Sequence, residues 1–332
     1  MIGALLAVTV AFPGAGAKLP PLERCYMSGA CERGVTNLTV QGRAVDVYRT
    51  GGWVTMIDLA PGTNTIELVA GGVATNHVFF VEPPPKPQPP RLDADGNPVP
   101  PPPPRVYEKL GYAADSPRPH PRGKTPAETL IYLDPGHGGS DTGTLSPHAF
   151  PEKDANLRVA REVRKALAAK GYRVKMTRDS DVALVLTERA RAAHAEGADA
   201  FVSIHHNAPG FASDPRTVRY HAVYSWNPLG ASLAEAISAR MAEALDGDIP
   251  SKGTLHANFA VTRSPEVPSV LVEVDFITTP EGEEACWDVA RRRFIGCAIA
   301  DGIADWCASG AQASSAADAT VRPAAARSAA VP

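Results

Sequence analysis

The stretch LIYLDPGHGG, residues 130–139, joins a short apolar strand to a glycine-rich turn that carries His137. In open α/β sheets, the turn after a strand is where ligands bind and chemistry takes place. The glycines beside His137 let the backbone bend sharply, and Pro135 restricts the conformation of the residue before it. A histidine in a tight turn is by itself more often a surface or capping residue, so the meaning of this stretch depends on partners elsewhere in the chain.

Predicted strands and helices alternate from this stretch onward. Strands are predicted at 130–134, 172–176, 199–205, 218–225, 258–262 and 269–275. Apolar residues recur at helical spacing over 153–170, 229–245 and 294–306. This alternation predicts an α/β domain over residues 129–308, with a mostly parallel or mixed six-stranded sheet flanked by helices.

The regions on either side of this domain have a different character. Residues 22–82 contain short apolar runs separated by Gly and Pro turns, which predicts a small all-β, sandwich-like module. Residues 83–104 include twelve prolines, which predicts a semi-rigid, extended spacer. We expect the linker to span 83–128, with residues 105–128 either continuing it or lying against the next domain. The segment 309–332 is mostly Ala, Ser, Thr and Pro with almost no large apolar residue, and we expect it to be disordered.

The N-terminus resembles an export signal. An apolar run over residues 2–12 precedes the small residues 15–17, a pattern that predicts a cleavable secretory signal peptide at 1–17. A buried N-terminal strand or helix is the alternative. Export would place the protein in the periplasm or outside the cell, where Cys25 and Cys31 could close a small disulfide loop.

Charge and hydropathy exclude two classes of protein. The formal net charge of −3 over 332 residues offers no basic surface for nucleic acid. After residue 17, no apolar stretch approaches the length of a transmembrane helix. We therefore expect no nucleic-acid partner and no transmembrane segment in the mature chain.

Three further positions can join His137. Glu152 stands at the start of a predicted helix, and His205 and His206 end a predicted strand. Adjacent strand residues point to opposite faces, so at most one of these two histidines faces a common centre. Glu273 lies in a very apolar strand, where an unpaired carboxylate is costly unless it meets a cation or a pocket. Two histidines and a carboxylate suit zinc with one position open for water, and a second carboxylate can carry protons.

Six stretches of the domain recur, in the same order, in one enzyme family. They are DPGHGGSDTG at 134–143, PEKDANL at 151–157, MTRDSDVALVLTERARAAH at 176–194, SIHHNA at 203–208, ANFAVTR at 257–263 and VPSVLVEVDFITTP at 267–280. Through them the chain resembles the zinc-dependent N-acetylmuramoyl-L-alanine amidases of the amidase_3 type, which cleave peptidoglycan. The resemblance implies one zinc ion bound by His137, Glu152 and His205, with Glu273 as the catalytic residue and His206 at a variable position.

The chain departs from the family pattern at two places. Asp275 stands where glycine is usual, and Thr279 stands where asparagine is common. Both lie near the strand of Glu273, so they bear on its fine geometry and not on the ligand set. Arg178 and Arg189 match family positions, and we expect them to brace the fold through ion pairs.

The implied reaction is hydrolysis of the amide between the lactyl group of N-acetylmuramic acid and L-alanine of the stem peptide, by zinc-activated water. One alternative is a zinc peptidase that cuts within stem peptides. Another is a catalytically inactive cell-wall-binding protein displayed by its β-module. The expected substrate is peptidoglycan, and the β-module could contact the wall or a regulator.

Overall fold

The computed structural model describes residues 7–86, 124–264 and 266–320. Most of the expected linker, residues 87–123, lies outside this description. The described residues form two regions: a β-module over residues 8–81, and an α/β domain that begins by Lys124, whose amine pairs with Asp199 at 2.5 Å.

The β-module is built from two packed sheets. Its strands are β1 (Val8–Phe12), β2 (Lys18–Leu19), β3 (Arg24–Cys31), β4 (Leu38–Val40), β5 (Arg43–Val45), β6 (Gly52–Asp58), β7 (Gly62–Ala70) and β8 (Val73–Val81). One sheet has the order β1-β3-β6 and the other β2-β8-β7-β4-β5. Their inner faces enclose Trp53, Leu68 and Phe79, all of which are buried. This confirms the expected sandwich-like, all-β architecture.

The first strand lies within the signal peptide expected at residues 1–17. β1 pairs antiparallel with β3, with Val8 opposite Cys31 and Thr9 opposite Ala30. Val8 is buried in the core of the module. The module of the full chain thus extends to β1, beyond the start expected at residue 22, and cleavage after Ala17 would remove this strand. An apolar run looks the same in sequence whether it is a leader or a strand, and only its pairing partner distinguishes them.

Cys25 and Cys31 do not form the disulfide loop that their spacing suggested. Both are buried free thiols on the single strand β3. Six residues of extended chain separate two Cα atoms by about 20 Å, well beyond the reach of a disulfide.

The α/β domain is organised around one mixed sheet. Its strands are β9 (Leu130–Pro135), β10 (Arg173–Met176), β11 (Ala200–Asn207), β12 (His221–Ser225), β13 (Ser251–His256) and β14 (Ser269–Phe276). Their order is β10-β9-β11-β14-β12-β13. All neighbouring pairs are parallel except β14 with β12, which is antiparallel. The sheet therefore confirms the expected mixed, six-stranded architecture.

Helices cover both faces of this sheet. They are α1 (Glu152–Ala169), α2 (Leu186–Ala195), α3 (Ala231–Ala244), α4 (Pro280–Trp287) and α5 (Val289–Thr320). The larger core lies between the sheet and α1, α3 and α5, whereas α2 and a short 3-10 helix, Ala260–Thr262, cover the other face. Within the described residues, none of the helices combines the length and apolar character needed to cross a membrane.

The strand predicted at 258–262 is wrong. The fifth strand of the α/β domain is β13, and the apolar residues that follow it form the 3-10 helix Ala260–Thr262. β13 has the sequence SKGTLH, with Gly253 at a φ of +68°, so it lacks the alternating apolar pattern of a half-buried strand. Val261 is buried because it packs with Phe201 and Leu271 beneath α2.

The expectation of a disordered tail from residue 309 is also wrong in part. α5 continues to Thr320, and residues 321–332 lie outside the described chain. Alanine has the highest intrinsic helix propensity, so an Ala-rich segment can extend a helix without large apolar side chains. The composition indicated that the segment adds little to a core, which is a separate question from its local conformation.

The β-module contacts the loop that follows β11. Phe12 stacks between Tyr26 and Phe211, with ring centroids 4.5 Å and 5.4 Å apart respectively. The amide of Tyr26 donates to the carbonyl of Phe211 at 3.0 Å. An ion pair between Arg49 and Glu284 of α4 adds a second contact.

Candidate metal centre

Two strand ends and one helix start bring three candidate ligands together. His137 lies in the turn after β9, His205 near the end of β11, and Glu152 is the first residue of α1. Glu152 Oε1 lies 3.2 Å from His137 Nε2 and 3.0 Å from His205 Nδ1. One donor atom of each residue lies within 4.8 Å of the others.

This arrangement fits a zinc ion. Ligand atoms bound at 2.0–2.1 Å around a tetrahedral ion are about 3.3 Å from one another. The two separations that involve Glu152 Oε1 are close to that distance. A carboxylate oxygen and two imidazole nitrogens are also the donor types that zinc prefers.

His137 is oriented by a second carboxylate. Its Nδ1 lies 2.9 Å from Oδ2 of Asp141, in the same turn. Metal-bound histidines usually donate their other ring N–H to a carboxylate or carbonyl, which fixes the tautomer and the ring orientation. Asp141 therefore leaves His137 Nε2 as the nitrogen available to a cation.

The carboxylate of Glu152 is buried and surrounded by donors. Oε2 accepts from the amide of Thr144 at 3.0 Å, and Oε1 accepts from Asn156 Nδ2 and the amide of His206, each at 3.2 Å. Burial alone would raise its pKa, but in the metal-free protein hydrogen bonds from the protonated rings of His137 and His205 outweigh burial and hold the pKa of Glu152 well below its ordinary value. This side chain is thus kept ionised, as a metal ligand must be.

Glu273 has the opposite surroundings. It lies on β14 directly beside His205 in the parallel ladder. Its Oε2 is shielded from solvent and has no hydrogen-bond partner among the described residues. Burial raises the pKa of Glu273 to about 7. A carboxylate with this pKa can accept and return a proton near neutral pH.

Only one of the two adjacent histidines faces the centre, as the strand periodicity predicted. His206 points to the other side of the sheet, where its Nδ1 lies 2.8 Å from Oδ1 of Asn156. Burial lowers the pKa of His206 to about 4 and keeps the ring neutral. His206 therefore anchors Asn156, which in turn donates to Glu152.

Two glycines leave the space that the ligands occupy. A Cβ atom on Gly136 would lie 2.2 Å from the ring of His205, and one on Gly143 would lie 2.6 Å from Oε2 of Glu152. Such distances are shorter than any real Cβ contact, so a side chain at either position would displace a ligand. Gly136 of the opening stretch and Gly143 beyond it are thus required by the centre and not only by the turn.

The centre opens into a cleft of about 380 Å³ on the α2 side of the sheet. Glu273 and the two ligand histidines contribute to its lining, and Leu186, Phe259 and Leu271 add apolar surface. The cleft can admit a small molecule to the candidate metal centre and surrounds it with apolar side chains.

Sequence reasoning missed two supporting residues and misassigned a third. Asp141 and Asn156 were not singled out, although each lies four positions after a ligand, a spacing that on a helix such as α1 places Asn156 beside Glu152. Arg189 makes the expected ion pair, with Asp134 at 2.8 Å. Arg178 makes none among the described residues and binds backbone carbonyls instead.

The two departures from the family pattern have local structural roles. Asp275 accepts two hydrogen bonds from Arg219, at 2.7 Å and 2.9 Å. Thr279 caps α4 by accepting from the amide of Gly282 at 3.1 Å. Neither side chain belongs to the ligand cluster.

The α/β domain is similar in sequence and structure to known proteins. A model of the Amidase_3 family, described as N-acetylmuramoyl-L-alanine amidase, matches residues 131–305. N-acetylmuramoyl-L-alanine amidase AmiC of Neisseria meningitidis is 34% identical over 57% of this chain and 56% of its own length. AmiA of Salmonella typhimurium is 34% identical over 54% of this chain and 76% of its own length. The solved structure of amidase AmiC2 of Nostoc punctiforme has a TM-score of 0.50 at 32% identity, covering 54% of this chain and 96% of that one.

Proposed function

Because the chain belongs to the N-acetylmuramoyl-L-alanine amidase family, we propose that it hydrolyses the amide between the lactyl group of N-acetylmuramic acid and L-alanine of the stem peptide in peptidoglycan. The match spans just over half the length of AmiC of Neisseria meningitidis, so the proposal concerns the α/β domain. One observation carries it: a ligand set of His137, Glu152 and His205 stands beside a glutamate without a hydrogen-bond partner on its Oε2 atom.

We propose zinc as the cofactor, bound by His137, Glu152 and His205. A bound zinc ion would polarise the amide carbonyl and acidify a water molecule. The protein's part is to hold the ligands: Asp141 orients His137, and hydrogen bonds from Thr144 and Asn156 hold the carboxylate of Glu152 in place.

Glu273 is the proposed proton carrier. Its Oε2 takes a proton from the attacking water and delivers it to the nitrogen of the departing alanine. A pKa of about 7 suits both transfers near neutral pH. Apolar side chains in the cleft lower the local dielectric and strengthen these interactions.

Analysis of digestion products tests the reaction. Purified sacculi are incubated with the full chain, and the released fragments are identified by mass spectrometry. The proposal predicts free glycan chains and intact stem peptides that begin with L-alanine. Shortened peptides with the lactyl bond intact would indicate a zinc peptidase instead. No release, together with less than stoichiometric zinc, would indicate an inactive wall-binding protein.

We also propose that the chain acts in the periplasm or outside the cell, because its substrate lies there. This proposal now depends on the substrate and not on residues 1–17, since β1 belongs to the β-module. Fractionation of cells that express the native protein, with detection by antibody, tests it.

A further inference from the structure

Arg178 is a buried cation without a carboxylate partner among the described residues. Its exposed fraction is 3%. The guanidinium donates only to backbone carbonyls: Nε to Pro135 at 2.9 Å, Nη2 to Gly136 and Lys153 at 2.8 Å each, and Nη1 to Ser180 at 3.2 Å. Arginine is rarely buried unless it is paired, so this position requires an explanation.

Three of the four carbonyls that Arg178 binds lie next to two candidate metal ligands in sequence. Pro135 and Gly136 directly precede His137, and Lys153 directly follows Glu152. The single nitrogen Nη2 donates to both Gly136 and Lys153. One atom of Arg178 thus joins the turn that carries one ligand to the helix start that carries another.

The turn needs such support because His137 adopts a φ of +61°. This left-handed region is unfavourable for residues other than glycine, so the surrounding structure has to hold it. Arg189 contributes from the other side, donating to the carbonyls of Pro135 at 3.0 Å and His137 at 2.8 Å. The two guanidinium groups together bind three successive carbonyls of the turn.

We infer that Arg178 is a positioning residue that sets the separation between His137 and Glu152 for the metal ion. The inference rests on the proposed metal site. A guanidinium presents several N–H donors in fixed directions within one plane, so it can define the relative position of two segments. A lysine has its three donors on one atom and cannot span the same set of carbonyls.

The test compares Arg178→Lys and Arg178→Gln with Arg161→Lys as a matched control. Arg161 binds the neighbouring residue Asp179, through its side chain at 2.8 Å and its carbonyl at 2.6 Å, but contacts neither ligand segment. Zinc affinity of each full-length variant is measured by competition with a chromophoric chelator. Thermal unfolding of the metal-free proteins is recorded separately, and cobalt-substituted protein reports the geometry of the ligand set through its visible spectrum.

The inference predicts that both Arg178 variants lose about 10–100-fold in zinc affinity and show an altered cobalt spectrum, while the control stays within about twofold of the unmodified protein. Wild-type affinity in Arg178→Lys, or a loss no greater than that of the control, would overturn it. The inference would also be overturned if both variants failed to fold without metal under conditions where the unmodified protein does fold. Arg178 would then be needed for folding in general and not for placing the ligands. If the unmodified protein itself bound no zinc, the proposed metal site would be wrong. That result differs from a loss of affinity confined to the Arg178 variants.

Discussion

Glu152 and Glu273 both lie beside His205, yet the protein surrounds them in opposite ways. Glu152 receives hydrogen bonds on both carboxylate oxygens from main-chain and side-chain donors. Glu273 has an Oε2 atom with neither solvent nor a donor among the described residues. The pKa of Glu152 is held well below its ordinary value, whereas burial raises that of Glu273 to about 7.

The difference would let one residue type serve the two roles proposed for this centre. A carboxylate with many donors stays ionised and can bind a cation at any moderate pH. A carboxylate without them can exchange a proton near neutral pH. In the proposed assignment, the surroundings of each carboxylate, and not the identity of the side chain, distinguish the ligand from the proton carrier.

The largest effect should come from Glu152→Gln. The amide cannot supply an ionised oxygen to the metal, so we expect zinc affinity to fall by about 100-fold or more and amidase activity to reach background. Metal content by elemental mass spectrometry and release of stem peptides from sacculi measure the two effects. Glu162→Gln on the same helix, which loses only an ion pair with Lys165, is the control and should retain both properties. Stoichiometric zinc in Glu152→Gln would exclude Glu152 as a ligand.

Glu273→Gln should separate chemistry from metal binding. We expect turnover to fall by about 10²–10⁴-fold with zinc content unchanged, because the amide is isosteric but too weak a base to take a proton from water. Kinetics on sacculi and metal analysis of the same preparation test this. Glu283→Gln provides a contrast: this buried glutamate accepts from the amide of His148 at 3.0 Å, so its loss should lower thermal stability and leave turnover intact. Near wild-type turnover in Glu273→Gln would refute its assignment as the proton carrier.

The smallest expected effect is on how the free energy of unfolding of the metal-free protein depends on pH. The pKa of Glu273 is about 7 in the folded chain and near 4.5 when unfolded, so between these values the folded state holds a proton that the unfolded state has released. The contribution of Glu273 to stability must then fall as pH rises through this window. The stability advantage of Glu273→Gln over the unmodified protein should grow between about pH 5 and pH 8, by no more than about 3 kcal/mol. Denaturant unfolding with a chelator present measures it, and a constant difference across this range would contradict the raised pKa.

Most residues of the candidate centre were predictable because they lie in short sequence motifs. His137 stands among glycines after an apolar strand, and Glu273 is a carboxylate within a strand that is otherwise apolar. The alternation of a strand also indicated that only one of His205 and His206 could face the centre, which the structure confirms. Helix α1 was predicted to within a residue at each end from its apolar spacing.

Other features could not be predicted because they depend on distant partners. The apolar run of β1 reads as a leader until its pairing with β3 is known. The helical continuation of α5 to Thr320 follows alanine propensity and not core composition. The role of Arg178 was misjudged because ion pairing is the usual use of a buried arginine, while its true partners are carbonyls that carry no sequence signal.

The sequence by itself determined which residues could bind a metal and which elements would carry them, because donor type and local periodicity are properties of neighbouring residues. Only the tertiary structure decided what each residue does. The amide of His206 reaches Glu152 across 54 positions of chain, and the side chain of Arg178 reaches the carbonyl of Gly136 across 42. Burial and hydrogen-bond partners are set when such distant segments meet, and they separate the ionised Glu152, the proposed ligand, from the proton carrier proposed at Glu273.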